Sequence, residues 1–176
     1  FCRRSKYAGL LTPSHGRFVG ASSNPIGSYP KPTDVRRGPG WVLASGAAGR
    51  GRHLVFDTNH WKTFTAERLR TPEGAAGGLF FFSPGPGGHQ LLADHLTAEY
   101  PVPVQRAAGG PIVEEWKKRP NRENHLFDCL VGATVGASLA GLVWSAGRAA
   151  GENDPAKPKR KKVKLSELYY QKHGRE

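Results

Sequence analysis

Apolar residues occur in short bursts separated by glycine and proline, and the period of each burst predicts an element. Residues 1–7 read as the end of a helix begun upstream, and the apolar run at 7–11 reads as a strand stopped by Pro13. Residues 20–40 hold many Ser, Pro and Gly and few apolar side chains, which predicts one long loop. Trp41-Val42-Leu43 predicts a short strand, and His53-Leu54-Val55-Phe56-Asp57 a buried strand ending on an acid. Thr58 or Asn59 then stands where a cap is needed for a helix over 61–69, which Thr71-Pro72 closes. Leu79-Phe80-Phe81-Phe82 predicts another buried strand, bounded by Gly77-Gly78 and Ser83-Pro84. Over 89–100, Leu91, Leu92, His95 and Leu96 share one helical face, and Pro101 ends that helix.

The longest apolar pattern runs from Leu126 to Trp144, with Asn124 placed as its N-cap. It is apolar on nearly every side, and Gly132, Gly136 and Ala140 recur at four-residue spacing, which would let another backbone approach. A helix of that kind is buried either in a core or in a membrane. The segment is long enough to span a bilayer, but it carries Asp128 and many Gly, Ala, Ser and Thr. An acid inside a span costs about 2.5–3.5 kcal/mol at its centre. A core helix is therefore the expectation, and no membrane association is predicted.

Charge adds a second layer. The 176 residues carry 26 Lys plus Arg against 14 Asp plus Glu, for a formal net charge of +12. The excess sits at the ends, with residues 1–52 and 153–176 basic and the middle near neutral. Such ends suit a polyanion, since phosphate contacts release counterions. Arg17, Arg36, Arg37, Arg50 and Arg52, with Lys159, Arg160, Lys161 and Lys162 in the tail, are the candidate phosphate contacts. A charge run of this kind also serves plain solubility. The division expected is one domain over 1–152 and a basic, flexible tail over 153–176.

Two acids stand out chemically. Asp57 ends an apolar strand, and Asp128 lies early on the long helix. If the helix lies across the sheet the two converge, and converging carboxylates suit Mg2+ or Mn2+, which take oxygen ligands. Each also has an ordinary structural reading, as a cap for Asp57 and as a dipole partner for Asp128. Asn124 and His125 are placed to orient a ligand beside Asp128. Zinc is not expected, because Cys2 and Cys129 share no ligand spacing with each other or with a histidine pair. No Gly-x-x-x-x-Gly-Lys-Ser/Thr phosphate loop and no nucleophile elbow occur.

Four segments, in order, resemble the nuclease region of the large terminase subunit of tailed bacteriophages, in the lambda-like GpA group. They are Pro13-Ser14-His15-Gly16-Arg17, Val55-Phe56-Asp57-Thr58-Asn59-His60-Trp61-Lys62 and Leu92-Ala93-Asp94-His95-Leu96-Thr97-Ala98-Glu99-Tyr100, then Glu115-Trp116-Lys117 leading to Asn124-His125-Leu126-Phe127-Asp128-Cys129. The resemblance implies an α/β, RNase H-like mixed sheet flanked by helices that cuts concatemeric double-stranded DNA. It implies two Mg2+ or Mn2+ ions, with Asp57 and Asp128 as catalytic and metal-binding acids. It further implies a small terminase subunit and a portal as partners, and the cytoplasm of a bacterial host as location. An ATPase motor domain and the first strand, with its acid, would lie upstream, in agreement with the absence of methionine. The alternative is a non-catalytic basic remnant of a prophage terminase that binds nucleic acid.

Overall fold

A computed structural model describes residues 11–28, 35–45, 52–142 and 144. The predicted strand and helix end before residue 11, Arg50, and the basic tail with Lys159, Arg160, Lys161 and Lys162 lie outside the described residues. The larger sheet holds β1 (Ser14–Arg17), β2 (Val35–Gly38), β3 (Trp41–Ser45) and β4 (Arg52–Asp57) in the order β1-β4-β3-β2. β1 runs parallel to β4, and the other pairs are antiparallel. α1 (Thr58–Arg70) follows β4 directly, then come α2 (Gln90–Leu96), a hairpin of β5 (Glu99–Gln105) and β6 (Ile112–Lys118), and α3 (His125–Leu139). The fold is thus α/β, with a mixed sheet flanked by helices.

Alternation along the strands divides the core. Leu54 and Phe56 of β4 and Trp41 of β3 pack with Trp61, Ala66, Trp116, Phe127, Val131 and Val135. The intervening Val42 packs with Val19 and Ile26, against which Val55 also rests. Side chains on a strand alternate between faces, so one face carries the helices and the other the loop of residues 18–28. Each large apolar side chain buried in this way contributes about 1.5–3 kcal/mol. Inside the helical layer the Thr65 and Thr134 hydroxyls meet at 3.0 Å, where α1 crosses α3, and each also bonds a carbonyl of its own helix. Trp41 Nε1 donates to Ser138 Oγ, tying β3 to the end of α3.

Several sequence expectations need correction. The supposed loop of 20–40 contains β2 and a short 3-10 turn at Ile26–Ser28. Gly40, at φ +60 in the β2–β3 turn, makes that hairpin possible. Leu79 to Phe82 form no strand; the run joins neither edge of the sheet, and Phe82 is 97% exposed. The helix expected over 89–100 stops at Leu96, because the Thr97 hydroxyl bonds back to the Ala93 and Asp94 carbonyls. Tyr100 and Pro101 instead begin β5, where prolines are tolerated because each strand of a two-stranded sheet is an edge. α3 is buried on one face only. Gly132 and Gly136 meet no neighbouring atom within 4 Å where a Cβ would stand, so their spacing serves no close approach. No described helix is long and apolar enough to cross a membrane.

Candidate active site

Asp128 lies in the first turn of α3, and its position is fixed from the core outward. Phe127 and Val131, its neighbours along the helix, are locked under Trp116 and the sheet. The Asp128 side chain is left 51% exposed at the rim. It lines a cavity of about 350 Å³ with Gly16 of β1, Phe56 of β4, Thr58 and Lys62 of α1, and Val131. Thr58 is held there by its hydroxyl, which donates to the Arg17 carbonyl at 3.1 Å. A Cβ at Gly16 would stand 2.6 Å from the Thr58 methyl, so only glycine allows this approach of β1 to α1.

Lys62 and Glu99 complete the arrangement, and neither was singled out from the sequence. Lys62 Nζ donates to both Glu99 oxygens at 2.6 and 2.7 Å and lies 3.0 Å from Asp128 Oδ1. An ammonium has three N–H donors, and these three oxygens account for all of them. The Lys62 side chain is 11% exposed and that of Glu99 4%. Asn124 bonds through Nδ2 to Glu99 Oε1 and to Asp128 Oδ2, the latter at 2.9 Å. A buried charge is tolerated only when paired and hydrogen-bonded, and here both conditions are met. The sequence did hold a signal. Lys62 occupies the same helical face as Trp61, Thr65 and Ala66, where a lone lysine requires an acidic partner.

Asn124 sits at the N-cap position of α3 as expected, but its side chain makes no capping bond. His95 of α2 does that work, since its Nδ1 accepts the Leu126 amide at 3.1 Å. His125 faces elsewhere; it pairs with Glu123 at 2.8 Å and is 75% exposed.

Asp57 has a different setting. It caps α1, accepting the His60 amide at 3.2 Å, in place of the Thr58 or Asn59 cap that the sequence suggested. Asn59 is instead buried within α1, donating to the Val19 carbonyl and accepting the Trp116 amide, each at 3.0 Å. The Asp57 carboxyl lines a cavity of about 470 Å³ with His60, Glu67, Arg106 and Glu114. Burial pushes it above its ordinary value, against the lowering effect of the His60 amide and its other polar neighbours. Asp57 and its successor Thr58 therefore line different cavities. No group of three His, Cys, Asp or Glu able to hold a metal ion occurs among the described residues.

Of the candidate phosphate contacts, Arg36 and Arg37 lie on β2, Arg17 on β1 and Arg52 on β4. Arg37 donates to the Gly27 carbonyl, and the Arg36 guanidinium stands 5.8 Å from the Trp41 ring centre.

The sequence profile of the terminase large subunit gpA endonuclease domain matches residues 1–147. The chain belongs to that family. No curated protein and no solved structure gives a significant match. Family membership makes DNA the substrate class and genome packaging the setting of this gpA endonuclease domain. The four segments that carry the sequence resemblance also supply the site: Gly16, Thr58 with Lys62, Glu99, and Asn124 with Asp128.

Proposed function

We propose that this gpA endonuclease domain has an RNase H-like fold and cuts concatemeric double-stranded DNA with Mg2+ or Mn2+. Asp128 is the acid on which cleavage depends. The observation that carries this reading is the half-exposed Asp128 carboxylate, which opens on a cavity beside β1 and α1 in a chain of this family. Hard cations take carboxylate oxygens, and paired ions would activate water and stabilise the leaving oxygen. As the residues stand, however, they do not fit such an ion. Both Asp128 oxygens are engaged by the protein's own donors, and Asp57 lines other cavities.

By the same reading Arg17, Arg36, Arg37 and Arg52 contact phosphates, positioning the duplex without reading its sequence. The small subunit, the portal, an ATP-driven motor and the host cytoplasm are the wider setting. Plasmid nicking in Mn2+ by the large subunit carrying this domain tests the proposal. Nicking that EDTA stops and Asp128→Asn abolishes is expected. DNA binding without nicking would favour a non-catalytic module.

A further inference from the structure

Lys62 bears directly on that misfit. Its ammonium lies between the Glu99 and Asp128 carboxylates, where a cation bridging the two acids would stand. The lysine is not loosely placed. Glu99 holds it through both oxygens, and the Phe127 ring centre lies 5.7 Å from Nζ. Asn124 fastens the same two carboxylates from another direction. The pair of acids carries two negative charges and Lys62 returns one positive charge, so the cluster is left with a single net negative charge.

We infer that Lys62 is a built-in competitor for the divalent cation at Asp128, a positioning residue that holds the carboxylate neutralised until it is displaced. The inference rests on the proposed role of Asp128. It has a sign that a purely structural role lacks: removing Lys62 strengthens cation binding, whereas loss of a mere structural prop weakens it. The charge must matter more than the shape. Lys62→Gln leaves two facing carboxylates and an amide, a set of oxygen donors that a hard cation accepts. Lys62→Arg keeps the positive charge and so keeps the competition.

Calorimetric titration of MnCl2 into the 176-residue chain, with thermal melts run alongside, reads this without cleavage. Lys62→Gln should bind Mn2+ about tenfold more tightly than wild type, a modest gain because Asp128 is half exposed and water screens it. Lys62→Arg should bind like wild type, and Lys62→Gln with Asp128→Asn should lose the gain. Mn2+ should also raise the melting temperature of Lys62→Gln more than that of wild type, since a ligand of the folded state stabilises it.

Should Lys62→Gln fold too poorly to titrate, Glu99→Gln offers the opposite arm. It removes one negative charge and should weaken Mn2+ binding relative to wild type. Equal Mn2+ affinity in wild type and Lys62→Gln would overturn the inference, as would a gain that survives Asp128→Asn. Unaffected nicking by Asp128→Asn in the large subunit would instead sink the proposed role of Asp128, so the two failures are distinguishable.

Discussion

Asp57 and Asp128 each stand at the beginning of a helix, and the fold uses them in opposite ways. Asp57 precedes its helix and directs its carboxylate to the helix's own His60 amide. Asp128 lies inside its helix and faces Lys62 and Asn124 instead. The difference follows from who caps the helix. α1 has no outside help, so the preceding acid is consumed as a cap. α3 borrows His95 from α2 for the Leu126 amide, which leaves both Asn124 and Asp128 with side chains to spare. An acid near a helix start is thus available for chemistry when another element has taken over capping.

The widest contrast between the two sites is in stability. Glu99→Gln removes the main acceptor of a buried ammonium, and loss of one partner of a buried pair costs about 3–5 kcal/mol. Because Asp128 still faces Lys62, the lower end of that range is expected, read as a fall in the urea midpoint. A change below about 1 kcal/mol would show the pair to be no more than a surface contact. Gly16→Val should also be strongly destabilising, because even a Cβ meets the Thr58 methyl at 2.6 Å. Retained stability there would mean that β1 can shift away from α1.

Cap replacement sharpens the comparison at smaller scale. Asp57→Ala should cost about 1 kcal/mol, whereas Asp57→Asn, itself a good cap, should cost little. His95→Ala should likewise cost about 1 kcal/mol if its ring serves as the cap of α3. Equal stabilities for Asp57→Ala and Asp57→Asn would remove the capping role.

The smallest effects are in pH dependence. Burial raises the Asp57 carboxyl above its ordinary 3.8, so the folded protein holds that proton more tightly than the unfolded chain does. Its contribution to stability therefore declines as pH rises from 3.8 through the raised value. Glu115 behaves in the opposite sense. The Ala21 amide, then Lys117, hold it below 4.5, so its contribution is full above 4.5 and fades as pH falls through the lowered value. Denaturation midpoints across acidic pH for Asp57→Asn and Glu115→Gln should show these opposite slopes removed.

Much of this was legible in the chain itself. The alternation around Leu54 and Phe56 announced β4, and the apolar pattern after Asn124 announced α3, because both elements form the core. Phe80 to Phe82 misled for the same reason: an apolar run signals burial, but only a neighbouring strand makes it a strand. The prolines at 101 and 103 hid β5, since nothing local reveals that its sheet has only two strands. At the site, Asp128 and Asn124 were visible from their place before the helix. Glu99 and Lys62 meet across 37 residues, and only the packing of α1 against β5 and α3 brings them together.

The most direct test of the account sets the two acids against each other in the terminase large subunit. Nicking of supercoiled plasmid in Mn2+ would be measured for wild type, Asp128→Asn and Asp57→Asn at matched protein concentration. The account predicts that Asp128→Asn abolishes nicking while DNA binding persists. Nicking by Asp128→Asn at the wild-type rate would contradict it.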